Sequence, residues 1–172
     1  MIDVDYCRLL ARHNRWMNER LYATVARMPD AERRADRGAF FGSVHRTLNH
    51  ILWADRAWLA RFHGQPFGVP AYGADMHDGF ADLLRERELA DTAILDWAGG
   101  LTREWLASTL EYRAASDGKR RAMAAWVAAT HLFAHATHHR GQVTTLLAQA
   151  GYDMGATDLP VLPGVVRLLD EA

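Results

Sequence analysis

Apolar residues recur at intervals of three and four along four long stretches of the chain, the pattern of amphipathic helices. From Asp5 to Met28 they are Tyr6, Leu9, Leu10, Trp16, Met17, Leu21, Val25 and Met28, and Pro29-Asp30 ends the run. Residues 30–42 are charged, then contain Gly and Phe, and read as a connection. Ser43 is placed to cap a second helix running to about His63, with Val44, Leu48, Ile51, Leu52, Trp53, Trp58, Leu59 and Phe62. These cover most of its circumference, which predicts burial on two sides or packing against a partner subunit. Gly64-Gln65-Pro66 stops it, and Gly68 to Gly79 reads as a loop. A third helix is predicted from about Asp78 to Ala98, with Phe80, Leu83, Leu84, Leu89, Ile94 and Trp97, closed by Gly99-Gly100. Leu110-Glu111-Tyr112-Arg113 ahead of Ser116-Asp117-Gly118-Lys119 predicts a short strand and an Asp-Gly turn. A fourth helix spans about Arg121 to Ala150, with Gly151 as its C-terminal cap. The tail through Pro160 and Pro163 reads as irregular with a last short turn. The predicted architecture is all-α, a four-helix bundle with a small β-like insertion before the last long helix.

The length of 172 residues suits one ordinary domain with a core of its own, and residues 1–172 are read as that. A net charge of −1 argues against a generic phosphate-backbone binder. Arg33-Arg34 and Arg120-Arg121 are too short for nucleic-acid patches. No run approaches the roughly 20 apolar residues of a membrane span, and the acidic start Met1-Ile2-Asp3-Val4-Asp5 is unlike a secretory signal. The expectation is a soluble cytoplasmic protein with no nucleic-acid or membrane partner. A single cysteine, Cys7, excludes an internal disulfide and a cysteine-based zinc site. The six Trp read as core and interface anchors. The nine His are the feature that calls for chemistry.

Four of them fall in Thr130-His-Leu-Phe-Ala-His-Ala-Thr-His-His-Arg-Gly-Gln142. At about 100° per residue, His131, His135 and His139 form a stripe with one member per turn, bordering the core face. Imidazoles at i and i+4 can reach one metal ion, so His131–His135 and His135–His139 are rival ligand pairs. His138 turns away from a 135–139 pair by about 60° or more. A third ligand is expected from another helix; His50 is the best candidate, with the small Ala54 and Ala57 following on its face. There is no His-Glu-x-x-His and no Glu-x-x-His, which removes the common zinc-peptidase and ferritin-like di-iron arrangements. A three-imidazole site carries the full divalent charge and keeps an open position. His13 lies on the apolar face of the first helix and reads as a core histidine; His63 and His77 flank loops and read as solvated.

Several segments together resemble the DinB/YfiT-like metalloenzymes, specifically the damage-inducible DinB group, over nearly the whole chain. They are His13-Asn14-Arg15-Trp16-Met17-Asn18, Phe41-Gly42-Ser43-Val44-His45-Arg46-Thr47-Leu48-Asn49-His50-Ile51-Leu52-Trp53-Ala54-Asp55, Leu110-Glu111-Tyr112 with Asp117-Gly118, His131 through Gln142, and Thr157-Asp158-Leu159. The resemblance implies an up-down-down-up bundle, often dimeric, whose metal ligands match His50, His135 and His139 here. It also implies kinship with transferases and isomerases that use bacillithiol, mycothiol or glutathione.

The functional expectation is therefore a divalent metal (Zn, Ni, Mn or Fe) on three His, activating a low-molecular-weight thiol as cosubstrate in S-transfer to a small molecule. A hydrolase using metal-bound water and a non-catalytic, dimeric stress-response metal-binding protein are the alternatives. A homodimer is expected on the apolar second helix. Asn49, Asp55, Gln142 and Asp158 are candidates for orienting imidazoles or substrate.

Overall fold

A computed structural model of the chain describes residues 2–68, 74–115 and 117–167. Residues 69–73 of the expected 68–79 loop and Ser116 of the expected turn lie outside the described residues. Four long helices carry the fold: α1 Val4–Ala26, α3 Val44–Phe62, α4 Phe80–Gly99 and α6 Ala125–Gln149. Two short helices, α2 Asp30–Arg34 and α5 Arg103–Ala107, interrupt stretches that carry no periodic pattern. Strands β1 Thr109–Arg113 and β2 Arg120–Ala124 form an antiparallel hairpin, with Leu110 opposite Met123. A 3₁₀ turn at Leu159–Val161 ends the regular structure.

The helix ends follow local chemistry. Asp3 accepts from the Tyr6 N–H at 2.8 Å and starts α1. Ser43 accepts from the Arg46 N–H at 3.2 Å and starts α3, as its position predicts. Gly151, at φ +83, ends α6: its N–H bonds the Ala148 carbonyl and the Tyr152 N–H bonds Leu147, the paired pattern of a left-handed helix stop. The start of α6 departs from the sequence reading. Residues 120–124 are a strand rather than the first turns of the last helix, because β1 pairs with them and Met123 packs on the apolar core.

Side-chain contacts fix the topology. Arg8 reaches Gly99 and Tyr22 stacks near Phe80, so α1 and α4 are antiparallel. His50 meets His139 while Trp58 meets His131, so α3 and α6 are antiparallel. Asp55 meets Arg87 and Phe62 meets Trp97, so α3 and α4 run together. The order is up-down-down-up, with α1 packed on α4 and α6, and α3 packed on the same two helices.

The core has two apolar ends. One gathers Cys7, Trp58, Phe62, Trp97, Leu106 and Leu132; the other Leu21, Val25, Leu48, Leu52, Leu83 and Leu147. Between them α1 buries the polar Asn14 and Asn18 beside Met17, whereas Tyr6, which apolar spacing places on the same face, is exposed. The apolar circumference of α3 is covered within the chain: Phe67 and Met76 lie on Trp53, and Tyr112 and His131 on Trp58.

Candidate metal centre

His50 projects from α3, and His135 and His139 from successive turns of α6, where the two helices pack antiparallel. One ring nitrogen from each lies within 4.8 Å of the other two. The Nε2 atoms of His50 and His135 are 3.1 Å apart. Two bonds of about 2.0–2.1 Å to one zinc ion at a tetrahedral angle would leave two nitrogens about 3.3 Å apart. The arrangement therefore fits a cation. The donor set fits too: three imidazoles and no carboxylate in the cluster. Nδ1 of His135 is buried without a hydrogen-bond partner among the described residues.

Electrostatics keeps all three rings neutral. Burial, then His139, pushes the pKa of His50 down to about 4. Burial and the surrounding imidazoles push His135 down to about 3. His139 is lowered by burial, with its Gln142 hydrogen bond working in the opposite direction. Each ring at neutral pH thus offers a lone pair, as a metal ligand must.

Gln142 sets one tautomer. Its Oε1 lies 2.8 Å from Nδ1 of His139, and an amide oxygen only accepts, so Nδ1 carries the proton and Nε2 the lone pair. Phe41 covers a face of His50 at 4.0 Å between ring centroids and meets the edge of His139 at 5.5 Å. Its position depends on the turn at Gly42, whose φ of +77 favours glycine and whose N–H bonds the Ala39 carbonyl. Phe41 is a residue that site reasoning from spacing missed; it lies nine positions from His50 with no periodic link to it.

The other candidates separate. His131 is exposed on Trp58, its ring 5.6 Å from that of His135, and stands outside the three-ring cluster. His138 is exposed beside His139, with Nε2 3.3 Å from the Gln142 amide. His13 is half-buried against Trp16, less enclosed than a core histidine. His63 is exposed. His77 is half-buried rather than solvated, because Asn49 holds its backbone. Asn49 accepts at Oδ1 from the N–H groups of Met76 and His77, at 2.8 and 2.9 Å, and donates to the His77 carbonyl. It orders the segment before α4, with the buried His45 beside the same carbonyl at 3.1 Å, and orients no imidazole of the cluster. Asp55 is buried in an ion pair with Arg87, and Asp158 is exposed ahead of the 3₁₀ turn; neither bonds a cluster imidazole.

An up-down-down-up bundle in which facing helices converge three neutral imidazoles on one point defines a class, the helical bundles with a histidine cluster able to hold a metal ion. The chain belongs to the DinB family, whose sequence profile matches residues 1–165. Protein DinB of Bacillus subtilis (strain 168) is 23% identical over 158 residues, spanning 90% of this chain and 91% of that protein. The crystal structure of a DinB-like protein from Bacillus cereus ATCC 10987 matches with a TM-score of 0.62, over 82% of this chain and 90% of that one. At 19% identity that likeness is one of fold. Among the described residues no helix is long and apolar enough to cross a membrane.

Proposed function

We propose that the protein is a divalent-metal-dependent thiol S-transferase, with His50, His135 and His139 as metal ligands and a low-molecular-weight thiol as cosubstrate. The observation that carries this reading is the convergence of three neutral imidazoles in a cluster without a carboxylate. A divalent ion held there would lower the pKa of a low-molecular-weight thiol, making it a nucleophile at neutral pH. The chain's own residues do the rest. Gln142 keeps the proton of His139 on Nδ1. Phe41 covers one face of His50.

Two further features support an external thiol as the nucleophile. Cys7 is fully buried in an apolar cluster, and burial with Asp3 pushes its thiol up to about 11, so it is protonated and enclosed at neutral pH. The buried carboxylates Asp55 and Asp91 are tied to Arg87 and supply no general base, which favours a thiol over an activated water. Zinc, nickel, manganese and iron all accept imidazole nitrogen.

The test is direct. Protein loaded with each of these metals is incubated with monochlorobimane and with bacillithiol, mycothiol or glutathione, and the fluorescent conjugate is followed. A rate above that of the metal-free protein is expected for at least one pairing. No such rate with any metal and any thiol would overturn the reading.

A further inference from the structure

Between its two apolar ends the bundle is charged along its axis. Asn14 and Asn18 of α1, Asp55 of α3, Arg87 and Asp91 of α4 and Arg140 of α6 are each no more than 3% exposed. Arg87 donates to Asp55 at 2.6 Å, joining α4 to α3, and lies 2.9 Å from Asp91 one turn along its own helix. Asp91 accepts from Asn14 at 3.2 Å and Asn18 at 2.8 Å, joining α4 to α1. Arg140 donates to the side-chain oxygens of Asn14 and Asn18, joining α1 to α6. An unbroken polar path therefore runs from α3 through α4 and α1 to α6. It begins five residues after His50 and ends one residue after His139. Two arginines and two aspartates make the path neutral. Burial acts against the charge on Arg87, but Asp91 and Asp55 outweigh it and raise its pKa above the ordinary guanidinium value.

Apolar ridges can shift along one another and remain buried. A charge shifted from its partner is left buried and unpaired, so a buried layer of paired charges favours one register. The two helices that carry the cluster, α3 and α6, meet through apolar packing and through the imidazoles themselves, and the polar path joins them a second time, around the bundle.

We propose that these six residues are the positioning element of the histidine cluster: they lock α3, α4, α1 and α6 in one axial register and so set the spacing of His50 against His135 and His139. They act through the helices rather than by contact with a bound ion. The proposal rests on the metal reading of the three histidines.

The test compares the native protein with a charge-neutral variant carrying Asp55→Leu, Arg87→Met, Asp91→Leu and Arg140→Met. Both are titrated with Co(II), read by the visible absorption of the ion, and both are crystallised without metal. The expected result is retained helical content with Co(II) affinity weakened by about ten-fold or more and an altered absorption envelope. In the metal-free crystals the variant's His50–His135 Nε2 separation, 3.1 Å natively, should exceed hydrogen-bond distance. Affinity within two-fold, an unchanged spectrum and an unchanged separation would overturn the proposal. Should that variant not fold, Arg87→Lys, which keeps the charge and loses the guanidinium fork, is expected to show the same changes in smaller measure; native affinity and spectrum in it would overturn the proposal. Native protein that takes up no Co(II) would instead refute the metal reading, so the two failures are distinct.

Discussion

Gln142 shows how a side chain outside the three-ring cluster can govern it. It lies three positions beyond His139, within reach along the helix, and its oxygen fixes the proton of that ring at 2.8 Å. Gln142→Leu should leave α6 intact yet weaken zinc binding by roughly 10–100-fold in a chelator competition titration, the range for supports of ligating imidazoles. Gln142→Glu, which keeps an acceptor at that place, should retain most of the affinity. Equal affinity in Gln142→Leu and the native protein would show that the hydrogen bond does not orient a ligand. The stripe of His131, His135 and His139 was visible from helical spacing alone, but spacing leaves two rival pairs. The structure separates them because His50 enters beside 135 and 139, whereas 131 turns out onto Trp58.

At the scale of elements, the long helices were legible because caps, stops and apolar periodicity agree over Ser43 to Phe62 and at Gly151. The short ones were not: α2 and α5 have five residues each, too few to show a period. The strand at 120–124 was hidden because its residues, Arg120 to Ala124, carry no alternation of their own and take their conformation from β1. The central layer was hidden for a different reason. Asn14, Asn18, Arg87, Asp91 and Arg140 lie outside the apolar pattern, and only three-dimensional pairing makes them core. Asn49 works at this scale as well, holding the entry to α4 through three main-chain hydrogen bonds to Met76 and His77. Asn49→Ala strands those groups and should lower stability by about 1–3 kcal/mol in denaturant unfolding. Amide exchange at Met76 and His77 should quicken more than exchange in α1. Unchanged exchange at those two amides would remove Asn49 from that role.

For the whole molecule, the cluster links stability to pH. The unfolded chain takes up imidazole protons near the ordinary value of about 6.5. In the folded protein His50 does so only near 4 and His135 near 3, so the unfolded state binds more protons between these limits. Stability of the metal-free protein should be greatest above about pH 6.5 and should fall as pH drops through that window. Thermal unfolding at pH 7.5, 6.0 and 5.0 checks this, and a midpoint that does not change over that range would count against buried neutral imidazoles. Because the folded rings of His50 and His135 stay neutral down to about pH 4, added zinc should still raise the unfolding temperature at pH 5.0 as it does at pH 7.5. The central claim is that His50, His135 and His139 hold one divalent ion together. Its most direct measurement is the metal content of the purified, zinc-equilibrated protein beside His50→Ala, His135→Ala, His139→Ala and His131→Ala. About one equivalent is expected in the native chain and in His131→Ala, with loss in each of the other three. Stoichiometric metal in all three of those variants would contradict the three-histidine centre.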